Sequence, residues 1–375
     1  MSQPKLPDDL FFDILSRLPV QSLLRFKCVC KSWLSVITQP HFIKAHLLKS
    51  TRSLYCPRQL LPFKPFYSSE PLSFFSFDFE APKSRTKLLQ CPTNFSEYSY
   101  LRPMCSCDGL ILLLAYDNAW LVGSKTLFLW NPSIRSYKRI ICPYKLPFHW
   151  TGNYGLFYDS IADDYRVLVV SKENETSVLV VAVYSLRNDF WDTFIDDRYG
   201  LWVLEYQEVQ AVVNGVVHWV MESRELCLCV IAYFDLVEGK FKEVPSPSFW
   251  NKHNEMGMNL VVLGEFLCVS CDIGMKQLEV YAMMEYGKKD SWTRLFVMPA
   301  GAIRNLNIST NYVRPLCLTK KGQIVVSVWF MGIGLYDPKD STFSWYDCCR
   351  GQMAIPYVET LVSLVGGNIQ SKEIG

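Results

Sequence analysis

Residues 6–47 read LPDDLFFDILSRLPVQSLLRFKCVCKSWLSVITQPHFIKAHL, and this stretch sets the character of the N-terminus. Asp8 or Asp9 follows Pro7, where a short polar side chain caps a first helix. Leu10, Phe11, Ile14, Leu15 and Leu18 then recur at helical spacing until Pro19, which lacks an amide hydrogen and clashes with the preceding turn. The pattern predicts a second helix carrying Val20, Leu23, Leu24 and Phe26, and a third carrying Cys30, Trp33, Leu34 and Ile37. Beyond Pro40 a last amphipathic piece holds Phe42, Ile43, Ala45, Leu47 and Leu48. Helices this short are marginal alone, and about 40 residues rarely close a self-sufficient core. The surplus apolar face calls for a partner.

Working outward, the whole chain has 375 residues, of which 50% are apolar and 20% charged, enough for a sizeable core and too apolar for disorder. The net charge of +2 argues against general nucleic-acid binding. Residues 1–50 nonetheless carry seven Lys/Arg against three Asp, a basic balance suited to an acidic partner or simply to a solvated helix face. The longest apolar run, Leu110 to Tyr116, is far short of the ~20 residues that span a bilayer, and Asp8, Asp9 and Asp13 stand where a signal peptide needs an apolar stretch. The expectation is a cytoplasmic or nuclear protein without a membrane partner, its 14 cysteines reduced.

Past residue 50 the helical pattern gives way to short apolar runs broken by Gly, Asp-Gly, Asn-Pro and Asp-Pro turns, the mark of antiparallel β structure. Five segments align: Leu129-Trp130-Asn131-Pro132, Val183-Tyr184-Ser185-Leu186, Tyr233-Phe234-Asp235-Leu236, Val280-Tyr281-Ala282-Met283 and Leu335-Tyr336-Asp337-Pro338. Their aromatic positions are spaced by 54, 50, 47 and 55 residues. Seven residues after four of them stands a second aromatic, Tyr137, Trp191, Phe241 or Phe343; the fourth cycle reaches Trp292 after a four-residue insertion. Each cycle also has an upstream hairpin, with Asp108-Gly109, Asn214-Gly215 and Lys321-Gly322 among its turns. Two hairpins per period of about 50 residues predict a four-stranded sheet repeated around an axis, a kelch-like β-propeller of about six blades. A β-sandwich is the alternative. A sixth blade would be shared between Leu72–Phe79 and Tyr357–Val365.

The N-terminal stretch resembles the F-box. Leu6-Pro7 matches its opening pair, Ile14-Leu15 and Leu18-Pro19 its first helix and stop, Leu23, Leu24 and Arg25 its second helix, and Val29, Cys30, Lys31 and Trp33 its third. The resemblance implies that these thirteen residues either face a Skp-type adaptor or pack the helices that do. The remainder is similar to the F-box-associated domain of plant F-box/kelch proteins, including the S-locus F-box group. That similarity is carried by Cys107-Asp108-Gly109-Leu110, Leu129-Trp130-Asn131-Pro132, Gly155-Leu156-Phe157-Tyr158-Asp159, Val213-Asn214-Gly215-Val216-Val217-His218-Trp219 and Met284-Glu285-Tyr286-Gly287 leading to Ser291-Trp292, in this order. The division implied is an F-box over residues 1–50 and a propeller over 51–375. The function implied is substrate recognition in a Skp–cullin–F-box ubiquitin ligase, with cullin and RING protein reached through the adaptor and an unidentified protein as target. An adaptor-bound scaffold or inhibitory binder is one alternative, and a pollen determinant recognising a ribonuclease is another.

No motif for chemistry emerges, and neither a metal nor a cofactor is expected. Cys268 and Cys271 form a CxxC without a second pair, and Cys28/Cys30, Cys105/Cys107 and Cys227/Cys229 have CxC spacing. His218 sits in an apolar strand, and Asp163-Asp164 and Asp196-Asp197 fall in turn-like stretches. The target surface is expected on loops that mix aromatic and charged residues: Tyr286, Lys288 and Lys289 within 283–290, and Tyr199 within the stretch from Asp189 to Trp202.

Overall fold

The structure, a computed structural model, describes residues 8–51, 59–63, 74–81, 86–89, 98, 100–116, 125–142, 153–173, 178–201, 211–226, 228–250, 258–303, 312–329 and 331–364. Leu6, Pro7, Leu72, Trp202, Cys227 and Val365 lie outside the described residues.

Four helices come first: α1 (Asp8–Ser16), α2 (Val20–Phe26), α3 (Lys31–Thr38) and α4 (Pro40–Thr51). Pro19 ends the first pattern as its chemistry demands and stands in extended conformation as the N-cap of α2. Leu15, Val20, Leu23, Ile37 and Phe42 meet in a small buried core. Trp33 packs between Phe11 and Phe26, with ring centroids 5.1 and 5.0 Å away.

The strands form a six-blade β-propeller. β1 (Gln59–Phe63), β2 (Phe74–Asp78) and β3 (Lys87–Leu89) begin a blade that is completed only at the end of the chain. Blade 1 is β4 (Tyr100–Cys107), β5 (Leu110–Tyr116), β6 (Lys125–Asn131) and β7 (Ser136–Ile140). Blade 2 is β8 (Asn153–Asp159), β9 (Asp164–Lys172), β10 (Leu179–Ser185) and β11 (Phe190–Asp196). In blade 3, β12 (Tyr199–Leu201) and β13 (Ala211–Val213) share one edge of β14 (Val216–Ser223), followed by β15 (Leu228–Asp235) and β16 (Lys240–Val244). Blade 4 is β17 (Asn259–Leu263), β18 (Phe266–Ile273), β19 (Gln277–Met283) and β20 (Trp292–Pro299). Blade 5 is β21 (Val313–Leu318), β22 (Ile324–Val328), β23 (Gly332–Asp337) and β24 (Thr342–Arg350). Finally β25 (Met353–Tyr357) pairs antiparallel with β1 and closes the sixth blade in the order β25-β1-β2-β3.

The repeat seen in the sequence is a register. Trp130 faces Tyr137, Tyr184 faces Trp191, Phe234 faces Phe241 and Tyr336 faces Phe343 across the third and fourth strands. In blade 4 the insertion moves the pair to Met283 and Trp292. In blades 1, 3 and 5 the residue after the aromatic braces the turn with its side chain: Asn131 accepts from Ser133 N at 2.9 Å, Asp235 from Val237 N at 2.9 Å and Asp337 from Lys339 N at 3.0 Å. Successive blades bury one apolar core between each neighbouring pair around the ring. Trp191 and Trp292 latch blades together, each donating from Nε1 at 2.9 Å to the carbonyl just past the outer strand of the preceding blade, Ile141 or Pro245.

The closing strand differs from expectation. It spans 353–357, not 357–365, and its partner is β1, which the periodicity did not mark. Met353, Ala354, Ile355 and Tyr357 are buried in the ring, whereas the chain leaves the sheet after Tyr357 and runs to the helices. Among the described residues no helix is long and apolar enough to cross a membrane.

Candidate functional site

The helical module keeps an apolar face in solvent. Leu10, Ile14, Val29 and Leu34 are 55%, 52%, 59% and 43% exposed, four large apolar side chains left in solvent by one small module. Of the residues singled out in the sequence, Ile14, Pro19, Arg25, Val29, Cys30 and Lys31 face outward. Leu18, Leu24 and Trp33 are half-buried, and Leu15 and Leu23 belong to the core. The stretch therefore divides into residues that hold the helices and residues that they present.

The module sits on one rim of the ring. Adjacent antiparallel strands place the turns between strands one and two, and between three and four, on the same face of a propeller. Ile134, in the β6–β7 turn, packs against the helical core. Lys44 of α4 donates to the Tyr158 hydroxyl at 3.0 Å and pairs with Asp163 at 3.4 Å, in the β8–β9 turn. The Tyr158 hydroxyl and then the Lys44 ammonium hold the Asp163 carboxyl below the usual carboxylate range.

The C-terminal residues complete the mount. Leu361, 3% exposed, inserts among Leu15, Val20, Leu23, Ile37 and Phe42. The buried Asn131 amide donates to the Val362 carbonyl at 2.7 Å and to the Thr360 carbonyl at 3.4 Å. Ser133 Oγ accepts from Thr360 N at 3.1 Å and is bonded to the Tyr357 hydroxyl at 2.7 Å. Gly109, at φ +78°, lies directly beneath this segment, and a Cβ there would collide with the Val358 carbonyl and the Thr360 side chain. Nothing in the periodicity of the sequence signalled this docking. Between α2, β3 and the β6–β7 turn lies a groove of about 530 Å³, lined among others by Leu24, Arg25, Cys28, Leu88 and Arg135.

The insertion in blade 4, residues 284–291, joins strands three and four and so lies on the module's face of the ring, across the axis from blade 1. Its exposed residues include Tyr286, Lys288 and Lys289, with Lys288 paired to Glu285. The loop is braced by Ser291, whose Oγ lies 2.9 and 2.8 Å from the Glu285 and Lys288 carbonyls and shares its one proton between them. Tyr286 is 40% exposed yet anchored, its hydroxyl 2.7 Å from Nε2 of the buried His218 in β14. His218 Nδ1 lies 3.2 Å from the Ala211 carbonyl, which assigns the proton to Nδ1 and makes Nε2 the acceptor for Tyr286. Burial pushes the His218 imidazole down to about 4, so it is neutral near pH 7, and burial pushes the Tyr286 hydroxyl up to about 12. The histidine and the loop, read separately in the sequence, are one unit.

Tyr199 is placed elsewhere. It is 6% exposed in β12, packs edge-on against Phe241 and donates to Glu243 at 3.0 Å, so its substitution would probe packing more than contact. Asp164 is buried and accepts from Ser185 Oγ at 2.6 Å and Arg187 N at 2.9 Å, bracing a turn. Cys268 and Cys271 point to opposite faces of β18, into two different cores, and do not converge. A cavity of about 170 Å³ on the ring axis is lined by inner-strand residues, chiefly Val and Pro with Ser106 and Arg314.

Residues 4–45 match the F-box domain, and residues 68–330 match the F-box associated beta propeller domain. The chain is 26% identical over 378 residues to the F-box/kelch-repeat protein At3g23880 of Arabidopsis thaliana, covering 96% of each. It is 28% identical to F-box protein CPR1 of the same plant, over 98% of this chain and 91% of that one. Among solved structures, TolB from Acinetobacter baumannii aligns over 85% of this chain and 71% of its own at a TM-score of 0.44 and 9% identity. With both matches in sequence order and the helices mounted on a six-blade ring, the chain belongs to the F-box proteins that carry an F-box-associated β-propeller.

Proposed function

We propose that the protein is a non-catalytic substrate receptor of a Skp–cullin–F-box ubiquitin ligase. The observation that carries this reading is the solvent-facing row Leu10, Ile14, Val29 and Leu34 on an F-box fixed to a propeller. An F-box implies a Skp-type adaptor as its partner. Cullin and RING protein then join through the adaptor, and the propeller holds a target protein whose lysines meet the charged carrier. The acceleration comes from proximity, which asks no nucleophile of the receptor. The surface we assign to the target is the blade 4 loop with Tyr286, Lys288 and Lys289, because it is ordered, exposed and rich in anchor-type side chains. Tyr199 contributes by packing.

The test is reconstitution of the purified chain with a Skp-type adaptor, a cullin, a RING protein and candidate targets recovered from proteasome-inhibited tissue. Ubiquitination of a recovered target that fails when Lys288 and Lys289 are both changed to Glu, with adaptor capture intact, supports the full reading. Adaptor capture without ubiquitination of any recovered target supports a scaffold instead.

A further inference from the structure

We infer that the C-terminal strap, residues 358–364, sets the angle between the F-box and the propeller, with Leu361 and Asn131 as positioning residues. The purpose of such a device rests on the receptor reading above; its geometry does not. Leu361 belongs to two bodies at once. Its side chain completes the F-box core, while the carbonyls on either side of it, those of Thr360 and Val362, are both gripped by the buried Asn131 of blade 1. Any tilt of the F-box on the ring must either withdraw Leu361 from its core or break the Asn131 bonds. By contrast, the Lys44–Asp163 pair is exposed on both sides, and exposed pairs of that kind contribute little. The strap is also continuous with β25, which is paired to β1 along its whole length. The F-box is thereby fixed to the strand that closes the ring.

A fixed angle matters because transfer by proximity depends on where the target sits relative to the adaptor, and a freely pivoting joint dilutes the effective concentration. Leu361 and Asn131 touch neither partner nor target in this scheme; they act through the placement of the module.

The experiment places a dye pair by bioorthogonal handles at Ser35 of the F-box and Lys289 of blade 4 in the full chain, and reads the distance distribution by single-molecule energy transfer. The wild type and Leu361→Met are expected to give one narrow distribution. Leu361→Ser and Asn131→Ala are expected to broaden it at least about twofold while the propeller still melts cooperatively, Asn131→Ala at a somewhat lower temperature because Asn131 also braces the β6–β7 turn by accepting from Ser133 N. Inserting four Gly/Ser residues between Thr51 and Gln59 is expected to leave the distribution narrow. A narrow distribution in Leu361→Ser, or broadening by the insertion as large as that of Asn131→Ala, overturns the inference. In the reconstituted ligase Asn131→Ala, whose F-box core is intact, is expected to keep adaptor affinity and to lose about tenfold or more in the rate of target ubiquitination. An unchanged rate with a broadened distance also overturns the positioning role. If the wild type captures no adaptor, the receptor reading fails, and the distance arms still judge the strap.

Discussion

In the propeller the described residues form six apolar cores, one between each pair of neighbouring blades, and the ring ends by pairing its last strand with its first. The F-box holds only a handful of core residues, takes Leu361 from the far end of the chain to complete them, and still leaves Leu10, Ile14, Val29 and Leu34 in water. The ring is self-sufficient; the helices are doubly dependent, on the strap from within and on a partner from without. The two parts are therefore sensitive in different places. The ring should fail as a whole when closure is lost, and the F-box should lose partners without unfolding when its outer face is changed.

The largest effect is expected from cutting the chain after Gln352. This removes β25 with Met353, Ile355 and Tyr357, side chains worth about 1.5–3 kcal/mol each when buried, a sum comparable to the whole stability of a domain. Far-ultraviolet circular dichroism should show cooperative loss of the β signal. Ending the chain after Tyr357 instead should keep the ring's melting transition, and its loss would show that closure extends into the strap. Next comes the double change Ile14→Asp and Val29→Asp, which should weaken adaptor binding by about a hundredfold or more in calorimetry while the melting temperature stays put. Undiminished binding by the folded variant would remove the outer face from the argument.

A smaller effect follows from His218. Its imidazole is held at about 4 when folded against an ordinary 6.5, so the unfolded chain binds the extra proton first and stability falls as pH drops through that window. The loss should approach about 3 kcal/mol near pH 4. His218→Gln should flatten this dependence in denaturant titrations, and a slope identical to wild type would assign it to other groups. The smallest expected change is in the latches. Trp191→Phe and Trp292→Phe should each cost about 1 kcal/mol, the value of one hydrogen bond, with the fold unaltered.

Much of this was legible in the sequence because it is local. The seven-residue step from Trp130 to Tyr137, and its counterparts in three other blades, is a two-strand register with a four-residue turn, and a turn advertises itself through Asn, Asp and Gly. The closing strand was misplaced because β1, with no cycle of its own upstream, has no periodic neighbour to phase it, and Tyr357 is the strand's last residue rather than its first. Tyr199 read as a loop residue because its neighbours Asp197 and Arg198 are charged, yet a three-residue strand is enough to turn its ring inward onto Phe241. The meeting of Leu361 with Leu15, and of Tyr286 with His218, joins positions far apart in the chain, and no spacing rule reaches across such distances.

The insertion of Leu361 into the helical core also has a consequence in time. During synthesis the F-box leaves the ribosome before the ring, but the residue that completes its core is made only after the whole ring, tens of seconds later at ordinary elongation rates of about 5–20 residues per second. Until then the nascent chain carries an unfinished module. Ribosome-bound chains stalled before Leu361 should therefore recruit adaptor more weakly than chains extended past it, which would make docking report on a finished ring and keep chains without one out of the ligase.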